Sequence, residues 1–366
     1  MVVTMDRSAS TDARPPQASV LPQALPWQAE ALQQALERQR GHALLVHGPA
    51  SSGQFEFALQ LAAAWLCEGH DDAADAGNAP RTACGRCTSC RLIAARSHPD
   101  LHWVIPEALR AETGLDFDED SSTEDGGRSK RKPSREIRID QIRAAVDFSA
   151  LTASRGRGRV VLIHPAEQIN AIAANALLKT LEEPSGSLRF VLACGAIDSL
   201  LPTLRSRCQS VRLPSPERRQ ALTWLAAQQI SAQEATVLLD ASGGEPLRAL
   251  ALSRAGLDAA AWQSLPLRVA SGEAAALQNW PLPLLVEALQ KLCHDQMLCC
   301  IGSSPRYFTG LRSQGSGLMQ LTRWAIDLRE HARQAEHPWQ VPLSIEALLA
   351  QAQRAMMPAA PIHSRA

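Results

Sequence analysis

Four cysteines carry the most specific chemistry in this chain. Cys67 is followed by Cys84, Cys87 and Cys90, the last three separated by two residues each. That spacing lets one turn bring three sulfurs to a point, with the fourth arriving from the end of the preceding helix. Four thiolates close a tetrahedral structural zinc site and leave no position for water. A catalytic zinc normally keeps three protein ligands and an exchangeable site, so a structural ion is expected here. Buried or redox-active thiols are the alternative. Nine cysteines, four of them clustered, in a chain whose first twenty residues have no apolar signal core point to a reducing cytosol and a metal rather than disulfides. Cys194, Cys208, Cys293, Cys299 and Cys300 read as core residues.

A second stretch has the frame of a phosphate-binding loop without its functional residues. In "LLVHGPASSGQFEF" Gly48 and Gly53 stand where G-x-x-x-x-G-K-[ST] places its glycines, but Gln54 occupies the lysine position and Phe55 the hydroxyl position. The glycines still allow the turn from strand to helix. Without lysine no fixed cation meets the β- and γ-phosphates, and Phe55 cannot ligate Mg²⁺. Each lost charge-assisted contact removes about 1.5–3 kcal/mol of binding.

These residues need elements to position them. "ALLVH" (43–47), "LHWVI" from Leu101, "RVVLIH" from Arg159, "RFVLAC" from Arg189 and "SVRL" from Ser210 read as apolar strands. Helices are expected over 26–40, ended by Gly41, over about 53–65, and over "AIAANALLKTLEE". Apolar strands alternating with helices predict an α/β domain with a parallel sheet covered on both faces. Pro214 and Pro216 close that domain, and Ala/Leu-rich sequence beyond them predicts helices to about Pro358. The expected division is a disordered lead-in (1–21), an α/β domain (22–213) with a zinc module at 67–90, a small helical unit (214–258) and a second helical unit (259–366).

Residues 112–135 interrupt the pattern. Seven acids without a base lie between Glu112 and Asp125, then five bases between Arg128 and Arg135. A solvated, disordered insertion is the expectation, a partner-binding tail the alternative. Lysine and arginine balance aspartate and glutamate at 37 each. With no net monopole, contact with nucleic acid must come from a local patch or a partner. No apolar run reaches the ~18 residues of a membrane span. Arg155, Arg157 and Arg159 read as a solvated turn, with contact to a partner or to DNA phosphate as the other possibility.

The loop frame, the four cysteines, "SHPDLHWV", "NALLKTLEEP" (175–184) and "LRSRC" (204–208), in this order, resemble the clamp-loader AAA+ ATPases of bacterial replicases over residues 22–213. In the catalytic members the third strand ends on acids, where this chain has His164 and Pro165. The polar sensor after the fourth strand is replaced by Cys194-Gly195. A second sensor arginine falls on Leu247, with Arg248 one residue out of register. The resemblance therefore implies a subunit without ATPase activity inside a DNA polymerase holoenzyme, with 214–258 as lid and 259–366 as oligomerisation collar. It also implies an arginine finger, Arg207 of Ser-Arg-Cys, acting in trans on a neighbour's nucleotide; a structural arginine paired with a carboxylate is the alternative. The implied partners are motor ATPase subunits of the gamma/tau type and a delta subunit, with the sliding clamp and primed DNA reached through the complex in the cytoplasm, at the replisome on the nucleoid. A hydrolysing motor subunit would need lysine, a hydroxyl and two acids that are missing. A free-standing nucleic-acid-binding zinc module would need aromatics that "RTACGRCTSCR" lacks.

Overall fold

The computed structural model describes residues 21, 24–38, 41–69, 82–113, 115, 133–313, 315–334 and 341–358. Nearly all of the 1–21 lead-in and residues 116–132 of the acidic-basic insertion lie outside the described residues. The insertion's expected first residues, Glu112 and Thr113, end a short helix instead, and Leu115 is buried. The chain divides into two units between Ser215 and Pro216.

The first unit contains α1 (Ala29–Arg38), β1 (Ala43–His47), α2 (Gln54–Leu66), α3 (Thr88–Ala94), β2 (Leu101–Val104), α4 (Arg110–Thr113), α5 (Ile139–Ala150), β3 (Arg159–Ile163), α6 (Ala171–Glu182), β4 (Leu188–Cys194), α7 (Pro202–Arg205) and β5 (Gln209–Arg212). All five strands fall where apolar runs predict them. The order is β2-β3-β4-β1-β5, and every pair is parallel. Strand alternation sends Leu44, Val46, Val160, Leu162 and Val191 into one core with α1, α2 and α3. Ala43, Leu45, Val161, Ile163, Phe190 and Leu192 enter the other with α5 and α6. A sheet buried on both faces requires these continuous apolar strands. Each fully buried Val or Leu stabilises by about 1.5–3 kcal/mol.

Parallel strands gather their carboxyl ends on one edge, where α/β sheets place their sites. Pairing of His47 with Cys194 and of Ile163 with Leu192 brings the glycine loop, His164 and Gly195 to that edge. The Ser97-His98-Pro99-Asp100 run fastens two neighbours. The His98 ring pairs through Nε2 with Ser89 Oγ on α3 at 3.0 Å. The Asp100 carboxylate accepts from the Ser154 and Arg155 backbone N–H groups at 2.7 and 2.8 Å. The arginine turn beyond it is not simply solvated. Arg155 pairs with Glu68 at 2.6 Å, and Arg159, only 5% exposed, donates to the Phe148 and Ser185 carbonyls.

The second unit is helical: α8 (Arg218–Ala227), α9 (Ala232–Ala241), α10 (Pro246–Arg254), α11 (Ala259–Ser271), α12 (Leu282–Cys300), α13 (Leu318–Gln334) and α14 (Val341–Met356). These helices share one apolar cluster that runs from Ala221 to Met356. Asp295, fully buried on α12, accepts the backbone N–H groups of Arg306, Tyr307 and Phe308 at 2.9, 2.7 and 2.8 Å. This carboxylate fixes the non-helical stretch between α12 and α13. Asp295→Ala is expected to lower stability by about 2–4 kcal/mol, because three N–H donors, that of Phe308 buried, lose a charged acceptor. Urea denaturation followed by circular dichroism measures it; a loss below about 1 kcal/mol would show that the loop holds by other contacts.

Candidate metal centre and the glycine loop

Helix α2 connects the two features that the sequence singles out. It begins one residue after Gly53 and ends one residue before Cys67, with ten of its residues buried. Cys67 is its C-cap, Cys87 is the N-cap of α3, and Cys90 lies in the first turn of α3. Cys84 approaches from the loop before α3. The four sulfurs lie within 4.8 Å of one another. Measured separations are 3.8 Å for Cys67–Cys87, 3.8 Å for Cys67–Cys90 and 4.0 Å for Cys84–Cys90. A tetrahedron with Zn–S bonds of about 2.3 Å has S···S edges of about 3.8 Å, so the residues fit a zinc ion.

The protein also prepares the sulfurs for a cation. Backbone N–H groups of Cys84, Cys87 and Cys90 donate to Cys67, Cys84 and Cys87 Sγ at 3.3, 3.3 and 3.4 Å. Burial pushes the Cys67 and Cys90 thiols up. Burial acts the same way on Cys84, but backbone donors from Arg86 and Cys87, with Cys67 and Cys87 side-chain bonds, outweigh it and bring that thiol down to about 6. A bound dication would offset the unfavourable gathering of four thiolates, and four ligands leave it no site for chemistry.

At the other end of α2 the glycine loop is closed on itself. Gly53 adopts φ +74°, the left-handed conformation that glycine tolerates. The Gln54 amide turns back and donates to the Gly48 and Pro49 carbonyls at 2.6 and 2.8 Å. From outside, the Gln28 amide donates to the Ser52 and Gly53 carbonyls, both at 2.6 Å. Gln54 thus lies within the loop, only 7% exposed, rather than reaching out as a lysine would.

The position of the metal-binding hydroxyl and that of the first missing acid touch each other. The rings of Phe55 and His164 are 5.2 Å apart, and Phe55 lies 6.2 Å from Trp103 of β2. Arg96 places its guanidinium over both Trp103 and Phe55, at 5.0 and 5.8 Å, and donates to the Thr113 carbonyl. It holds φ +58° to do so, which is uncommon for a residue with a Cβ. Burial pushes His164 down to about 4, so it is neutral near pH 7 and supplies no charge. An apolar cluster with one guanidinium over it therefore stands at the carboxyl edge of the sheet, beside the glycine loop.

Arg207 is on the surface after α7. Its guanidinium pairs with Glu182 at the end of α6 and donates to the Thr203 carbonyl at 2.9 Å. The structure thus joins the two motifs "TLEEP" and "SRC" through one ion pair, with the arginine side chain 31% exposed.

Comparison with known proteins gives the family of the chain. The family model described as DNA polymerase III, delta subunit, matches residues 26–217. The DNA polymerase III subunit delta-prime of Pseudomonas aeruginosa is 33% identical over 350 residues, 89% of this chain and 96% of that protein. The chain belongs to the DNA polymerase III delta-prime family. The delta-prime subunit of Escherichia coli is 29% identical over 282 residues, covering 72% of this chain and 74% of that one. Among solved structures, a DNA polymerase III gamma subunit-related protein of Thermotoga maritima aligns with a TM-score of 0.47 and 18% identity, over 90% of this chain and 99% of that chain.

For this delta-prime family member, sequence reading located the cysteines, the altered loop and Arg207, but it missed Arg96, Trp103, Gln28 and Glu182. The available signal was Phe55 itself, since an aromatic in place of a hydroxyl needs apolar neighbours. Arg248 lies in α10 and pairs with Glu287 of α12 at 2.8 Å, so its side chain is committed within the helical unit.

Proposed function

We propose that this chain is the non-hydrolysing subunit of a clamp loader and lends Arg207 to the ATP site of a neighbouring motor subunit. The observation that carries the first half is the closed loop, in which the Gln54 amide bonds the Gly48 and Pro49 carbonyls while Phe55 packs on His164. A nucleotide would find neither a lysine nor a magnesium ligand in this loop. The second half is supported by an exposed arginine in an intact Ser-Arg-Cys run at the unit's surface.

On this reading zinc is structural, residues 214–258 form a lid and 259–366 a collar. The partners are gamma/tau-type motor subunits and a delta subunit, and the assembly opens the sliding clamp and places it on primed DNA at the replisome in the cytoplasm. Among the described residues no helix is long and apolar enough to cross a membrane.

The isolated protein is expected neither to bind Mg·ATP tightly nor to turn it over. Gln54→Lys with Phe55→Thr is expected to recover weak binding with little hydrolysis, because His164 and Pro165 still stand where the acids belong. Titration calorimetry and phosphate release check this; micromolar binding, or turnover that survives purification, by the unaltered chain would instead indicate a motor subunit.

A further inference from the structure

We propose that the helical unit carries a docking pocket for a short acidic peptide segment that presents a bulky apolar side chain. The cavity measures about 640 Å³ and is built by α9, α11 and the loop after α12. Its volume is within the range of specific ligand sites, ~300–1,000 Å³. Trp262 and Phe308 stack beneath it, ring centroids 4.8 Å apart and planes at 3°. Both rings are nearly fully buried, so they form a floor rather than faces open to a stacking base. Pro266, Leu267 and Leu311 supply the apolar wall, and Leu267 is left 74% exposed. Asp295 already holds the Arg306, Tyr307 and Phe308 N–H groups at the start of this loop, which lowers the cost of ordering it on binding.

The polar groups select the occupant. Arg218 and Arg312 both line the pocket, against one acid, Asp240. That acid is already engaged: Oδ1 accepts from Arg218 and Oδ2 from Thr309. Arg312 is exposed to solvent. The charge left over is positive, so the complementary chain is negative and carries an apolar anchor. No part of this site overlaps the metal cluster or the glycine loop.

The test uses the full chain and a fluorescein-labelled eight-residue peptide alternating Asp with Leu and Phe. Controls are the same peptide with Lys for Asp, with Ser for Leu and Phe, and an eight-nucleotide oligo-dT. Anisotropy is expected to show saturable binding of the acidic apolar peptide alone, weakened by added salt. Leu267→Asp and Arg312→Glu, at exposed positions, are each expected to weaken it at least about tenfold, with unchanged thermal melts. Failure of the unaltered chain to saturate below millimolar peptide would overturn the proposal, as would equal binding of either control peptide or preference for the oligonucleotide. Affinity unchanged in both variants would overturn it too. A concentration-dependent dimer abolished by Leu267→Asp on gel filtration would assign the pocket to a second copy instead.

Discussion

Arg207→Ala is expected to leave the chain folded and able to assemble with motor subunits while slowing hydrolysis at the one ATP site that it is proposed to complete. A finger holds a fixed positive charge against oxygens that gain negative charge as the phosphoryl group departs, in a site emptied of water. Such residues change kcat by ~10³–10⁵, or about 4–7 kcal/mol of barrier. A loader with several ATP sites would lose a fraction of its total turnover, so single-turnover rates at the affected site are the sharper measurement. Lysine is a poor substitute because it lacks the planar fork that can hold two oxygens.

The Glu182 pair supplies a control. If Arg207 serves only to join α7 to α6, Glu182→Gln should mimic Arg207→Ala. If it is a finger, Glu182→Gln should leave hydrolysis near normal, since the arginine keeps its charge and its bond to the Thr203 carbonyl. Normal assembly with unchanged rates in Arg207→Ala would show the residue to be structural. Reconstituted complexes, gel filtration and DNA-stimulated phosphate release decide between these results.

Cys87→Ser is expected to abolish stoichiometric zinc and to loosen the segment around α3 without unfolding the sheet. Structural zinc contributes on the order of 10–16 kcal/mol in small zinc-finger peptides. Here the sheet also has an apolar core on its other face that contains none of the four cysteines, so the loss should stay local. The effect should nonetheless reach the glycine loop, because Arg96 follows α3 and lies over Phe55 and Trp103. Hydrogen exchange should rise over residues 82–104 and change little in β4. Elemental analysis of protein purified without chelator should give one zinc per chain. No metal, or unchanged exchange in the variant, would show the cluster to be thiols held by the fold alone.

Local spacing was enough for much of this protein. The C-x-x-C-x-x-C run brings three sulfurs together locally, whereas the fourth, Cys67, is delivered by the end of α2. Apolar runs of five to seven residues specify β1, β3 and β4, the strands buried on both faces. Gln54 and Phe55 stand out in the sequence as departures from the phosphate-loop chemistry, because that motif has one chemical role per position.

Tertiary structure alone decided what replaced that chemistry. Phe55, Trp103 and His164 meet only because parallel strands in the order β2-β3-β4-β1-β5 deliver their carboxyl ends to one edge. The Glu182–Arg207 pair depends on how α6 and α7 pack, and the burial of Arg159 depends on two carbonyls from other elements. Contacts between residues tens of positions apart leave no periodic trace in a sequence, because the free energy that selects them comes from shared burial, which exists only once the sheet and its helices have come together.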